Sequence, residues 1–186
     1  MKYLVAGLGN IGPEYELTRH NVGFLVLDHL SSKLETNFTA DKHASMTEAK
    51  YKGRNIYLIK PSTYMNLSGK AVNYWLQELK IPTENFLVVT DDIALPFGKL
   101  RMRGKGSNAG HNGLGSIDET LGYNSYARLR FGIGNNFSKG RQVDYVLSRF
   151  TEQEFQDLEP LLVKASDMVL SFCTIGIERT MNFFND

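Results

Sequence analysis

Three short segments of this chain concentrate asparagine, histidine and glycine. They are Gly7-Leu8-Gly9-Asn10-Ile11-Gly12 leading into Tyr15 and Thr18-Arg19-His20-Asn21; Lys60-Pro61-Ser62-Thr63-Tyr64-Met65-Asn66-Leu67-Ser68-Gly69; and Gly106-Ser107-Asn108-Ala109-Gly110-His111-Asn112-Gly113. Amide side chains both donate and accept hydrogen bonds, and a neutral imidazole can take a proton. A site built from such groups, with no nucleophile-elbow pattern G-x-S-x-G, suits a substrate that is held in place while water attacks it. The chain has histidines at 20, 29, 43 and 111 and a single cysteine, Cys173, with no zinc-type spacing among them. No G-x-x-x-x-G-K-[ST] phosphate loop is present either. The expected site therefore holds no metal and no cofactor.

Gly7 to Gly12 also fits the dinucleotide-binding pattern, and it follows an apolar strand. That pattern needs a helix at the third glycine and an acid about 20 residues on, at the end of a second strand. Here Pro13-Glu14-Tyr15 intervenes, and Asp28 falls inside an amphipathic stretch. Nicotinamide and flavin binding are accordingly set aside.

Hydrophobic periodicity outlines the elements that position these segments. Lys2 to Ala6 is a short apolar strand, and Val22, Leu25, Val26, Leu30 and Leu34 recur at helical spacing. Residues 44–51 and 54–59 flank Lys52-Gly53 as a hairpin would. Ser68 is placed to N-cap a helix through Val72, Trp75, Leu76 and Leu79 that ends near Pro82. Phe86 to Thr90 is a buried-type strand ending at Asp91-Asp92. Leu100 to Arg103 and Ala127 to Ile133 alternate like exposed strands, with a short helix from Gly113 to Leu121 between them. Thr151 opens a long amphipathic helix, and Ile175 to Phe184 forms a last one. Strands alternating with helices imply an α/β sandwich, and the hairpin and late strands imply a mixed sheet.

With 186 residues and 42% hydrophobic content, the chain is expected to form one domain over 1–186. No secretory leader or stretch of about 18 apolar residues is visible, so a soluble cytoplasmic protein is expected, with no membrane partner. Cys173 lies in an apolar run and reads as a buried thiol. The net charge of +1 conceals a segregation. Between Gly98 and Gln142 eight basic residues face two acids, whereas Phe150 to Asp186 carries seven acids and two bases. A basic block of this kind is a footprint for a polyanion.

Taken in order, Gly7 to Gly12, Tyr15, Thr18 to Gly23, Lys60 to Gly69, Asp91-Asp92 with Leu95-Pro96, and Gly110 to Leu114 resemble the motifs of the bacterial-type peptidyl-tRNA hydrolases. The resemblance runs through nearly the whole chain. It implies a three-layer α/β/α fold and a metal-free, monomeric, cytoplasmic enzyme that cleaves the ester between a peptide and tRNA. It also implies roles: His20 as catalytic base, Asp91 as the acid orienting it, and Asn10 as reader of the N-blocked peptide. Asn66 and Asn112 resemble amides that hold the peptidyl-tRNA, with Tyr15 and Tyr64 lining the same site. Arg103 and Arg130 resemble a basic pair that clamps the tRNA 5′ phosphate. Ile11 stands where the family usually has proline, and Ala109 where it often has glycine, which affects local loop shape rather than chemistry.

Ester hydrolysis needs a base for water and donors for the developing oxyanion. Asn66 or Asn112 fits the donor role, and the residues alone do not decide between them. A position at the start of a helix is expected to disfavour imidazolium and keep His20 neutral. Asp92 is the alternative to Asp91, and His111 admits either a role toward water or tRNA or a structural one. The competing reading for the whole chain is a non-catalytic tRNA- or RNA-binding module.

Overall fold

The alternating apolar residues build one seven-stranded sheet in the computed structural model of this chain, which describes residues 1–185. Its strands are β1 (Lys2–Gly7), β2 (Thr39–Asp41), β3 (Ala44–Tyr51), β4 (Arg54–Pro61), β5 (Phe86–Asp92), β6 (Leu100–Arg103) and β7 (Ala127–Gly132), in the spatial order β2-β3-β4-β1-β5-β7-β6. The central strands β4, β1, β5 and β7 run parallel. The outer pairs β2–β3, β3–β4 and β6–β7 are antiparallel, so the sheet is mixed as expected.

Side chains alternate across a strand, and here each face has its own core. Tyr3, Val5, Leu87 and Val89 point to one side, where they pack with α1 (Val22–Lys33) and α5 (Glu152–Ile175). Leu4, Ala6, Phe86 and Val88 point to the other and pack with α2 (Ser68–Glu78) and α3 (Asn112–Leu121). Helices therefore cover both faces, giving the expected three-layer sandwich. Cys173 lies fully buried in the first core, and burial pushes its thiol pKa up to about 12.

Several local expectations need correcting. Leu67, not Ser68, occupies the N-cap of α2; Ser68 is the first helical residue, and its hydroxyl donates to the Met65 carbonyl at 2.7 Å. The strand over 127–132 is not exposed, because β5 and β6 pair with it on both sides and Ala127, Arg128 and Leu129 are buried. Two short elements carry too little periodicity to be seen in sequence: the fully exposed edge strand β2 and the five-residue α4 (Gln142–Val146). Thr151, by contrast, forms the capping box that opens α5, accepting from the Glu154 amide while Glu154 reaches back to Thr151. The last helix, α6, runs from Ile177 to Phe184.

The strand order explains why the three motifs meet. β1 lies between β4 and β5, so the chain leaves it on one side and later returns on the other. Loops at the carboxyl ends of parallel strands around such a switch point form a crevice. The first two motifs follow β1 and β4, the acids Asp91 and Asp92 end β5, and the third motif, which follows β6, joins them through the His111–Asp91 bond. Close approach of α1 to β1 fixes the first of them. A Cβ on Gly23 would lie 2.6 Å from the Leu8 amide nitrogen and from the Val89 carbonyl oxygen, so only glycine lets the helix start there.

Candidate active site

His20 sits in the single 3-10 turn Arg19–Asn21 that immediately precedes α1. The turn is held by main-chain and side-chain bonds on both sides. Asn21 forms a two-way clasp on the first loop: its Oδ1 accepts from the Asn10 amide at 2.8 Å and its Nδ2 donates to the Asn10 carbonyl at 2.9 Å. Arg19 is buried, reaches Glu154 at 2.8 Å, donates to the Arg149 carbonyl and the Ser148 hydroxyl, and stacks on the Tyr145 ring. His20 is thereby left with little freedom.

At the end of β5, Asp91 is 3% exposed and its two oxygens are divided between two imidazoles. Oδ2 lies 2.8 Å from His20 Nδ1, and Oδ1 lies 2.8 Å from His111 Nε2. His111 is the N-cap of α3, and its Nδ1 accepts from the amides of Gly113 and Leu114. An imidazole nitrogen that accepts cannot carry the proton, so the His111 proton sits on Nε2 and is donated to Asp91. His20 likewise donates from Nδ1, which leaves its Nε2 lone pair free for a proton from water.

Electrostatics follow from this arrangement. Burial alone would push Asp91 up, but His20 and His111 outweigh it and hold the carboxyl well below the usual carboxylate range. Burial would lower His20, and the charge and hydrogen bond of Asp91 overcome that and raise it above 6.5. Burial and the carboxylate act on His20 in opposite directions, and the carboxylate 2.8 Å away makes the net shift upward. Asp92 is excluded as the alternative partner, since its carboxylate is bound to Arg130 Nε at 2.6 Å and to the Ala94 amide at 2.7 Å.

A cavity of about 300 Å³ opens beside this trio. It is lined by His20, Asp91, His111 and Asn112, and by Arg103, Lys105, Arg128 and Arg130. Catalytic-type groups and the basic block thus share one space. The register Arg101↔Arg130 and Arg103↔Arg128 puts all four arginines on one face of the β6–β7 ladder. Burial, followed by the charges of Arg101 and Arg130, lowers the Arg103 pKa, which is the mark of a cationic cluster. Gln142, Val143 and Val146 of α4 form the opposite rim.

Other expected residues lie elsewhere. Asn10 is buried beside a second, separate groove, and its Oδ1 accepts from the Met65 amide at 2.7 Å, joining the first motif to the second. Its Nδ2 is free to donate. Tyr15, Tyr64 and Asn66 do not line the cavity; Tyr64 is 58% exposed, and Asn66 is exposed in the turn Met65–Leu67. Of the two asparagines proposed as oxyanion donors, only Asn112 borders the cavity. Sequence reasoning missed Arg19 and Asn21 as supports, although both flank His20 in the motif. It missed the burial of Arg128 entirely, because alternation with Arg130 reports a shared face and not its depth.

His20, Asp91 and His111 also bring ligand-type atoms within 4.8 Å of one another, which sequence spacing did not foresee. Both ring nitrogens that face Asp91 carry protons in the bonding just described, and a bound cation would have to displace them. As arranged, the trio holds and orients protons.

Comparison with known proteins gives the family. A family model described as peptidyl-tRNA hydrolase matches residues 4–186. A peptidyl-tRNA hydrolase of Cytophaga hutchinsonii is 57% identical over 185 residues, covering 100% of this chain and 98% of that protein. One from Phocaeicola vulgatus is 55% identical over 185 residues. The crystal structure of peptidyl-tRNA hydrolase from Acinetobacter baumannii superposes with a TM-score of 0.93 at 31% identity, covering 98% of this chain and 94% of that one. Sequence and fold agree, and the chain belongs to the peptidyl-tRNA hydrolase family.

Proposed function

We propose that this chain hydrolyses the ester joining peptide to tRNA with His20 as general base and Asp91 as its orienting partner, without metal or cofactor. The observation that carries this is the His20 Nδ1–Asp91 bond of 2.8 Å inside a cavity walled by arginines. Water on His20 Nε2 loses a proton as it attacks the ester carbonyl. Asp91 stabilises the imidazolium that results, as in other oriented-base systems. The tetrahedral oxyanion takes a hydrogen bond from the Asn112 amide, and the proton held by His20 passes to the departing ribose oxygen. A module that only binds RNA has no use for a buried, oriented base, so the hydrolase is favoured. The test is hydrolysis of N-acetyl-aminoacyl-tRNA against unblocked aminoacyl-tRNA. Rapid cleavage of the first alone is expected. Activity that collapses on chelation and returns with zinc would overturn the metal-free chemistry.

Asn10 supports selectivity for a blocked amine. Its oxygen is taken by Met65, so only its Nδ2 is left to donate to the peptide carbonyl, a group that unblocked aminoacyl-tRNA lacks. Sites built around a hydrogen bond reject analogues missing it. Asn10→Asp keeps an acceptor for the Met65 amide but loses the donor. It is expected to erode the preference for blocked substrates by about tenfold or more. Unchanged discrimination would return Asn10 to a purely structural role.

Arg103 and Arg130 support a grip on the tRNA phosphate, since a guanidinium fork can bind two oxygens. Arg103→Ala with Arg130→Ala should raise KM for full-length peptidyl-tRNA and reduce the salt slope of binding by about two units, one per contact. A short substrate with the 3′ ester but no 5′ phosphate should respond far less. Equal damage to both substrates would move the arginines to the ester site or the fold.

The described residues share one sheet, which supports reading 1–186 as a single domain. No described helix is long and apolar enough to cross a membrane. The reading of a cytoplasmic monomer rests on the family resemblance, and sedimentation tests the monomer directly.

A further inference from the structure

A second polar network stands behind the basic wall, and the reaction as described does not use it. Asp118 of α3 accepts from the Tyr126 hydroxyl at 2.6 Å on one oxygen and from Asn108 Nδ2 at 3.2 Å on the other. The Asn108 side-chain oxygen accepts from the Gly110 amide at 2.9 Å, and its carbonyl accepts from the His111 amide at 2.8 Å. Arg128 lies over the Tyr126 ring, its Cζ 4.3 Å from the centroid. Its guanidinium is bound to three backbone carbonyls, those of Gly106 at 3.1 Å, Asn124 at 2.6 Å and Tyr126 at 3.3 Å. Tyr126 and Arg128 are 1% and 2% exposed.

These bonds converge on the segment 104–111. That segment contains Ala109 at φ 50°, a left-handed conformation that is strained for a residue with a Cβ. Strain of this kind persists only where the surroundings over-determine it. Two residues after the strained Ala109 comes His111, which must meet Asp91 with Nε2 and cap α3 with Nδ1 at once. With most of its donors on backbone carbonyls and its side chain buried, Arg128 is tied to the wall in a way that Arg103 is not.

We propose that Asn108, Asp118, Tyr126 and Arg128 form one positioning unit, which holds the strained 104–111 wall and thereby sets how His111 reaches Asp91. The proposal rests on the reading of His20 and Asp91 as the catalytic pair, yet it has a readout independent of catalysis. The His111 ring proton shared with buried Asp91 should give a downfield imidazole N–H resonance, assigned by its loss in His111→Ala.

Tyr126→Phe keeps the ring under Arg128 and removes only the hydroxyl on Asp118, so it should fold. Asn108→Ala cuts the other arm. In each folded variant the His111 resonance should shift or broaden, and KM for full-length peptidyl-tRNA should rise about five- to tenfold, the scale of one lost hydrogen bond. The double variant should be less damaged than the product of the singles, because both break the same chain of contacts. A folded Tyr126→Phe protein with an unmoved His111 resonance, or with unchanged KM and kcat, overturns the proposal. If instead His20→Ala proves fully active while the resonance responds as expected, the catalytic assignment fails and the positioning unit stands.

Discussion

His20→Ala is expected to lower kcat by about 10²–10⁴-fold, the usual worth of a general base, while binding of tRNA stays near that of the parent. The substitution removes the only ring nitrogen of the trio that has a free lone pair facing the cavity. Arg103, Arg130 and Asn112 remain in place, so the substrate should still be held. The fold should survive, because His20 lies on the cavity wall rather than in either core. Burial of Asp91 beside His111 alone leaves the carboxylate with one imidazole partner instead of two, so a modest loss of stability should accompany the loss of rate. Single-turnover hydrolysis together with a binding measurement checks this. A variant that hydrolyses at near the parent rate would remove His20 from the mechanism.

Asp91→Asn should be nearly as damaging, by about 10²–10⁴-fold in kcat, for a reason specific to this geometry. The capping bonds from Gly113 and Leu114 lock the His111 proton on Nε2. An asparagine at 91 must therefore turn its oxygen toward His111 and its NH2 toward His20. His20 Nδ1 is then forced to accept, its proton moves to Nε2, and the base is blocked. The same change alters the pH profile. In the parent, activity should rise with pH through a His20 pKa above 6.5, since the neutral ring is the active form. Without the carboxylate only the lowering effect of burial remains, so the residual activity of Asp91→Asn should have its acid limb at lower pH. An acid limb that does not move would mean that His20 is not the titrating group.

The pair also links folding to pH. Asp91 is depressed in the folded state, so its contribution is present above its unfolded pKa and is lost as pH falls through the folded value. His20 is raised, so its contribution is full below its unfolded pKa and fades as pH rises through the folded one. The two describe one interaction, which is strongest between those limits.

Much of this protein was decided locally, and the sequence by itself determined that part. Apolar periodicity over Val22–Lys33, the Lys52-Gly53 turn between β3 and β4, and the Thr151–Glu154 capping box depend on near neighbours, and each stands where its residues demand. The groups proposed to react were legible too, because His20, Asp91 and Asn10 lie in segments whose residue types have few other uses together. Tertiary structure decided what depends on which strands become neighbours. Insertion of β1 between β4 and β5 is what brings residues 10, 20, 65 and 91 to one edge. Whether Asp91 or Asp92 faces His20 turns on strand alternation, which sends one carboxylate to the imidazoles and the other to Arg130. Arg128 and Arg130 look alike in sequence, two residues apart on one strand, and both border the cavity, yet Arg128 is buried on backbone carbonyls whereas Arg130 is half-buried on Asp92. Only the loop packed above β7 separates them. The direction of the His20 shift was likewise decided by tertiary structure, since a carboxylate from 71 residues away acts on the ring once folding places it 2.8 Å from Nδ1.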